Sequence, residues 1–162
     1  MCSKILVAVD GSDISSHALK QAIELARKLN AQLRIVHVVD MGWFPLAPEL
    51  GIDIQTLSAA RRSVGESIIA AASDSAKQDG FEAEAALLET GSPAQHVADA
   101  ITQEALRWPA DMMVLGTHGH RGFQRLILGS VAEQTARQSA MPVMLIPSLE
   151  HTHSGCGDVG QQ

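Results

Sequence analysis

Short apolar runs alternate with longer stretches of helical periodicity along this chain. Residues 5–9 are continuously apolar and rich in β-branched side chains, which predicts a strand buried on both faces. Asp10-Gly11-Ser12-Asp13 closes that run and offers helix caps. Ala18, Leu19, Ala22, Ile23, Ala26 and Leu29 then recur at helical spacing as far as Asn30. Residues 33–39 predict a second strand. Trp43, Phe44, Pro45 and Pro48 in the segment 41–51 predict a loop, because neither a helix interior nor a central strand accepts those prolines. Leu57, Val64, Ile68, Ala72 and Ala76 mark a long helix over 53–78, stopped by Asp79-Gly80. Residues 82–89 predict a third, more polar strand near an edge.

Gly91-Ser92-Pro93-Ala94-Gln95 predicts the start of a third helix, with Ser92 as cap, Pro93 in the first position and Gln95 reaching back. Trp108-Pro109 ends it. Residues 112–115 predict a fourth strand. Ser130 and Glu133 predict a capping box for a helix running to about Ala140, and 142–147 predict a fifth strand. The prolines at both its ends place that strand outermost. The near-continuous apolar runs of strands one, four and five predict those three as the buried strands. Strand and helix alternate throughout, which predicts a parallel sheet covered on both faces.

Length and composition narrow the class. A chain of 162 residues fits one domain with a substantial core, placed over 1–148. Residues 149–162 lack periodicity and are rich in Ser, Gly, His and Gln, so they read as a disordered tail. His151, His153 and Cys156 in that tail could ligate a metal, but a solvated tail is the preferred reading. The formal net charge of −6 argues against sequence-independent binding to nucleic acid or to an anionic membrane. No apolar run reaches the ~18 residues of a membrane span. Two cysteines without framework spacing, Cys2 and Cys156, fit a reducing compartment. Without a leader-like N-terminus, a cytoplasmic location is expected.

The chemistry concentrates after the fourth strand. Glycines stand at 116, 119, 122 and 129, and no acidic residue lies between Asp111 and Glu133, whereas His118, His120, Arg121 and Arg125 do. A glycine loop lets backbone approach a ligand closely, and a helix N-terminus directs N–H groups at an anion. That combination predicts a phosphate-bearing ligand, and local positive charge is informative in an acidic protein. The P-loop pattern fails because no Gly-Lys follows at the required spacing, and the dinucleotide fingerprint fails because Asp10-Gly11-Ser12 follows the first strand. Thr117-His118-Gly119-His120 is similar to the histidine signature of nucleotidylyltransferases, but that signature belongs after the first strand. Asp10 reads equally as a turn residue or as a carboxylate facing a ligand. His37 reads as a core or half-buried residue rather than a catalytic one.

Gly116, Gly119, Gly129 and Ser130 satisfy the pattern Gly, two residues, Gly, nine residues, Gly, Ser/Thr of nucleotide-binding universal stress proteins. The chain resembles that family in four further blocks: 4–12, 36–39, 89–93 and 141–147. The resemblance implies an α/β, Rossmann-like fold: an open five-stranded parallel sheet of order 3-2-1-4-5, with helices on both faces. It implies binding of ATP or AMP, with Asp10 and Ser12 facing the nucleotide, Val38 holding the adenine through its backbone, and Ala8 and Val9 nearby. Gly116 and Gly119 would run along ribose and phosphates, with Leu115 and Thr117 also among the nucleotide-binding residues. Gly129, Ser130 and Val131 would meet the phosphates, with His118, His120, Arg121 and Gly122 around them. Mg2+ or Mn2+ bridging the phosphates is compatible with this arrangement, although no obvious ligand set encodes it. The resemblance also implies a homodimer through the fifth strand, at Val143, Met144, Leu145 and Ile146.

Three functions compete on this reading. The leading one is a nucleotide-binding regulatory or stress-response sensor with at most slow ATP hydrolysis; no general base is placed, and no lysine follows Gln78. The second is a metal-dependent hydrolase or phosphotransfer enzyme using His118 and His120. The third is a nucleotide-free scaffold whose glycines only shape a tight loop.

Overall fold

A computed structural model describes residues 1–42, 49–51, 53–92, 94–117 and 128–148. The elements alternate as β1 (Lys4–Ala8), α1 (Asp13–Leu29), β2 (Gln32–Val39), α2 (Ile54–Gln78), β3 (Glu84–Glu89), α3 (Val97–Arg107), β4 (Met112–Gly116), α4 (Ser130–Gln138) and β5 (Val143–Ile146). All strand pairs are parallel, and the sheet order is β3-β2-β1-β4-β5. Both outcomes match the alternation in the sequence and the order implied by the family resemblance. Among the described residues no helix is long and apolar enough to cross a membrane.

Successive strand residues point to opposite faces, so the continuous apolar runs feed two cores. On one face Ile5, Val7, Leu33, Ile35 and Val114 pack beneath α1 and the second half of α2. On the other, Leu6, Val36, Met113 and Leu115 pack beneath Ala100, Ile101 and Ala105 of α3. The chain leaves β1 towards β2 but reaches β4 from β3 on the opposite side, so the direction of winding reverses between β1 and β4.

Three local expectations are corrected. The third helix begins at Val97, one turn after Ser92. Ser92 C=O accepts from Gln95 N–H at 3.1 Å, and Gln95 Oε1 accepts from Gly91 N–H. The cap-like residues thus close a separate turn, while Asp99, accepting from His96 N–H at 2.9 Å, marks the true helix start. The fourth helix is capped by Gly129, not Ser130, and among the described residues no side chain completes a cap; Glu133 instead pairs with Arg137 at 2.7 Å. The buried set of strands is β1, β2 and β4. β5 lies at the sheet edge with only Ile146 buried, as its prolines indicated, and β2 has a neighbour on each side.

A polar pin crosses the amino end of the sheet. Asp111 Oδ2, just before β4, accepts from Ser3 N–H at 2.7 Å and Lys4 N–H at 3.0 Å. Those amides hold its carboxyl below the usual carboxylate range. A depressed folded-state value stabilises the fold above the unfolded pKa of about 4 and ceases to do so as pH falls through the lower folded value. Asp111→Asn is therefore expected to lower Tm at pH 7, and its deficit against the wild type should shrink as both are melted at successively lower pH below about 4. A deficit independent of pH would assign the effect to packing.

Arg34 makes a second polar link. It projects from β2 onto the α3 face, where it pairs with Glu84 of β3 and places Nη1 2.5 Å from Oε1 of Glu104. Glu104 is only 3% exposed and also meets Arg107 at 2.5 Å. The guanidinium of Arg34 lies over Trp108, 4.8 Å from the ring centroid.

Candidate nucleotide site

Open α/β sheets bind ligands where the winding reverses, beyond the carboxyl ends of the strands. Here that crevice lies past Ala8 and Gly116, with the end of β2 beside it. Ala8, Val9, Asp10, Ser12, Val38, Leu115, Gly116 and Thr117 converge there from the ends of β1, β2 and β4. Gly129, Ser130 and Val131 are brought back to the same end of β4, because Thr117 C=O accepts from Gly129 N–H at 2.6 Å. Thr117 is itself fixed to β5, its N–H donating to Ile146 C=O at 2.9 Å. His118, Gly119, His120, Arg121 and Gly122 fall outside the described residues.

The turn after β1 is locked by its own side chains. Gly11 adopts φ +82°, which favours glycine. Asp10 Oδ1 accepts from both the N–H and the hydroxyl of Ser12. Ser12 caps α1 by accepting from Ser15 N–H at 3.2 Å. Buried Ser15 completes the ring: its hydroxyl donates to Ser12 C=O at 3.0 Å and accepts from Asp10 N–H at 3.2 Å. Asp10 thus fulfils its turn role through Oδ1, while Oδ2 takes no hydrogen bond among the described residues. The Ser12 hydroxyl is engaged within the turn. Ser15, which sequence reasoning missed, is legible only as a polar residue on the buried stripe of α1.

Gly116 has a packing reason of its own. A Cβ there would sit 2.6 Å from Ile14 Cγ2 and 3.4 Å from the Ile14 carbonyl carbon, so the end of β4 can approach α1 only as glycine. Gly116→Val is expected to destabilise by about 1–3 kcal/mol, read from urea unfolding, because the close atom is the branch methyl of Ile14, which sits next to the helix backbone and has little room to move aside. An unchanged midpoint would show that α1 can shift freely.

The end of β2 supplies a buried backbone edge. In a parallel pair the N–H and C=O of one residue face the same neighbour, and successive residues alternate. Val36 C=O accepts from Val9 N–H at 2.9 Å, on the β1 side, and Val39 C=O accepts from Thr90 N–H at 3.1 Å, on the β3 side. Val38 therefore turns its N–H and C=O towards β1, which has ended. Among the described residues neither group finds a partner there, although Val38 is only 8% exposed. Buried backbone donors and acceptors are nearly always paired, so a donor and an acceptor standing side by side call for a ligand edge or water.

The first turn of α4 offers donors as well. Its helical ladder begins with Glu133 N–H to Gly129 C=O at 2.9 Å, so the amides before residue 133 have no intrahelical carbonyl, and among the described residues no side chain caps them. An anion fits such an end. Adjacent donors from a helix N-terminus and a paired donor–acceptor edge on β2 together match a phosphate joined to a planar heterocycle.

The sequence profile of the universal stress protein family matches residues 1–147. The chain belongs to the universal stress protein family. A universal stress protein of Methanocaldococcus jannaschii is 32% identical over 143 residues, covering 88% of this chain and 81% of that protein. A solved structure of a family protein from Burkholderia pseudomallei is 35% identical with a TM-score of 0.71, over 90% of this chain and 96% of that one. The Archaeoglobus fulgidus universal stress protein solved in complex with dAMP is 26% identical with a TM-score of 0.63, over 89% of this chain and 97% of that one. Nucleotide binding thus occurs within the family on this same fold.

Proposed function

We propose that this universal stress protein binds an adenine nucleotide, ATP or AMP, in the crevice beyond β1, β2 and β4. The observation that carries the reading is the N–H and C=O of buried Val38, which have no partner among the described residues. Adenine presents an acceptor at N1 beside a donor on its 6-amino group, the complement of that backbone pair. Ala8 and Val9 supply an apolar floor at the end of β1. Asp10, with Oδ2 uncommitted, and Gly116 and Thr117 lie along the ribose. Gly129, Ser130 and Val131 direct the first-turn amides of α4 at the phosphates, and the loop carrying His118, Gly119, His120, Arg121 and Gly122 adds positive charge. Among the described residues no three His, Cys, Asp or Glu side chains cluster as metal ligands, so Mg2+ or Mn2+ would be held mainly by phosphate oxygens.

In this reading the protein senses nucleotide in the cytoplasm rather than turning it over rapidly. Residues 1–148 are its functional domain, and a second copy pairs with the β5 edge through Val143, Met144, Leu145 and Ile146. An exposed edge strand is covered economically in that way. Mass spectrometry of freshly purified protein, followed by calorimetric titration with ATP and AMP, tests the reading. Retained or titratable adenine nucleotide is expected; absence of both would return the chain to the scaffold alternative.

A further inference from the structure

The freedom of the Val38 amide has a local cause. Continuing the β1–β2 ladder by one step would bring Val38 N–H to Val9 C=O, since Val9 N–H already bonds Val36 C=O at 2.9 Å. That bond is not made. The Val9 carbonyl instead lies 2.7 Å from Nδ1 of His37. A carbonyl can only accept, so the imidazole carries its proton on Nδ1 and donates. The side chain of residue 37 thereby engages the carbonyl that the backbone of residue 38 would meet if the ladder continued.

Space for this arrangement is provided by α2. Gly65 is buried in the middle of that helix, where glycine is intrinsically unfavourable. A Cβ at position 65 would sit 2.6 Å from Val39 Cγ2, 3.1 Å from Leu87 Cδ1 and 3.2 Å from His37 Cδ2. The missing side chain leaves room beside the helix for the edge of the imidazole, whose Nδ1 reaches the end of β1. A small residue on one element thus permits a hydrogen bond between two others.

We infer that His37 is a positioning residue for base recognition: by holding the Val9 carbonyl, it keeps the Val38 N–H open, beside the Val38 C=O, for the edge of the adenine ring. It touches no ligand in this role. The inference rests on the nucleotide reading above and adds the device that shapes its base end. Loss of the imidazole should let Val9 rejoin the ladder, closing the donor that adenine needs.

The test compares the wild type with His37→Leu and His37→Gln, the latter retaining an N–H donor on a side chain of similar reach. Amide hydrogen exchange read by NMR on nucleotide-free protein reports Val38 directly, and calorimetry with AMP and with IMP reports base recognition. In His37→Leu the Val38 amide should gain protection, AMP affinity should fall about tenfold, the scale of one hydrogen bond, and AMP should lose its advantage over IMP, which presents a carbonyl in place of the 6-amino group. His37→Gln should restore most of the AMP preference. A merely structural histidine would change stability without moving Val38 exchange or the AMP-to-IMP ratio, and that result would overturn the inference. Wild-type protein that binds neither nucleotide would overturn the nucleotide reading itself; AMP binding that His37→Leu leaves unchanged would remove only the role of His37. Should His37→Leu not fold, Gly65→Ala, which crowds the same ring, takes its place with the same expected directions.

Discussion

Arg34→Ala is expected to destabilise the protein by about 3 kcal/mol, the lower end of the range for breaking a buried ion pair. Arg34 holds Glu104 at 2.5 Å, and Glu104 is 3% exposed. Removing the guanidinium leaves that carboxylate to Arg107 alone, whose side chain is 73% exposed and screened by water. The substitution also strips the cation from over Trp108 and leaves a hole between β2 and α3. Arg107→Ala should move stability by less than about 1 kcal/mol, because an exposed partner contributes little. The double replacement Arg34→Met with Glu104→Leu should recover most of the loss, since apolar groups of similar volume replace a buried pair at little net cost. Urea unfolding of all four proteins decides the matter. A mild effect for Arg34→Ala, equal to that of Arg107→Ala, would show that the pair is solvated.

Gly129→Val should abolish nucleotide binding, lowering affinity at least about a hundredfold if two charge-assisted bonds from the α4 amides are lost. The fold should survive. Gly129 has φ −60° and ψ 148°, a conformation open to any residue, so the backbone is not strained by the change. The cost is that of a poor cap residue, about 1 kcal/mol. What changes is the approach: a branched side chain at the mouth of α4 separates phosphate from the N–H groups of the first turn. Calorimetry with ATP, paired with a melting curve, separates the two effects. Full affinity in a folded Gly129→Val protein would remove α4 from the site.

Much of the fold was legible because strand and helix announce themselves by different periods. The β-branched run before Asp10, the glycine stop after Gln78 and the αL cap at Asn30 all lie where local chemistry determines structure. Caps were less legible. Ser92 and Gln95 form a genuine turn, but a one-turn motif cannot say whether a helix follows at once, and the competing pair His96 and Asp99 decides it through tertiary packing of Ala98 and Ile101. The strength of an apolar run also misjudged β5, because an edge covered on two faces and a central strand can have the same composition.

At the candidate site, sequence spacing indicated which segments meet, and the structure brings the ends of β1, β2 and β4 together with the start of α4. It could not show what a residue does there. Gly116 is required by Ile14 whether or not a ligand is present, and the Ser12 hydroxyl serves the turn. In the sequence His37 reads as a core or half-buried residue, and it is half-buried; its hydrogen bond to Val9 and the room beside Gly65 of α2 relate distant positions that no local pattern encodes.

The order of pairing in the sheet bears on how the molecule comes into being. β1, β2 and β3 are consecutive in the chain and adjacent in space, so a growing polypeptide can assemble that half early. The pairing of β1 with β4 must wait: Asp111 and Ser3, which lock it, stand 108 positions apart. Closing so long a loop is slow, and parallel pairing admits no hairpin shortcut. The crevice straddles this late seam. Until β4 arrives, Leu6 and Val7 in β1 present an unpaired apolar edge to the solution, and a ligand that recognises only the completed junction stabilises the native state without favouring any intermediate before it.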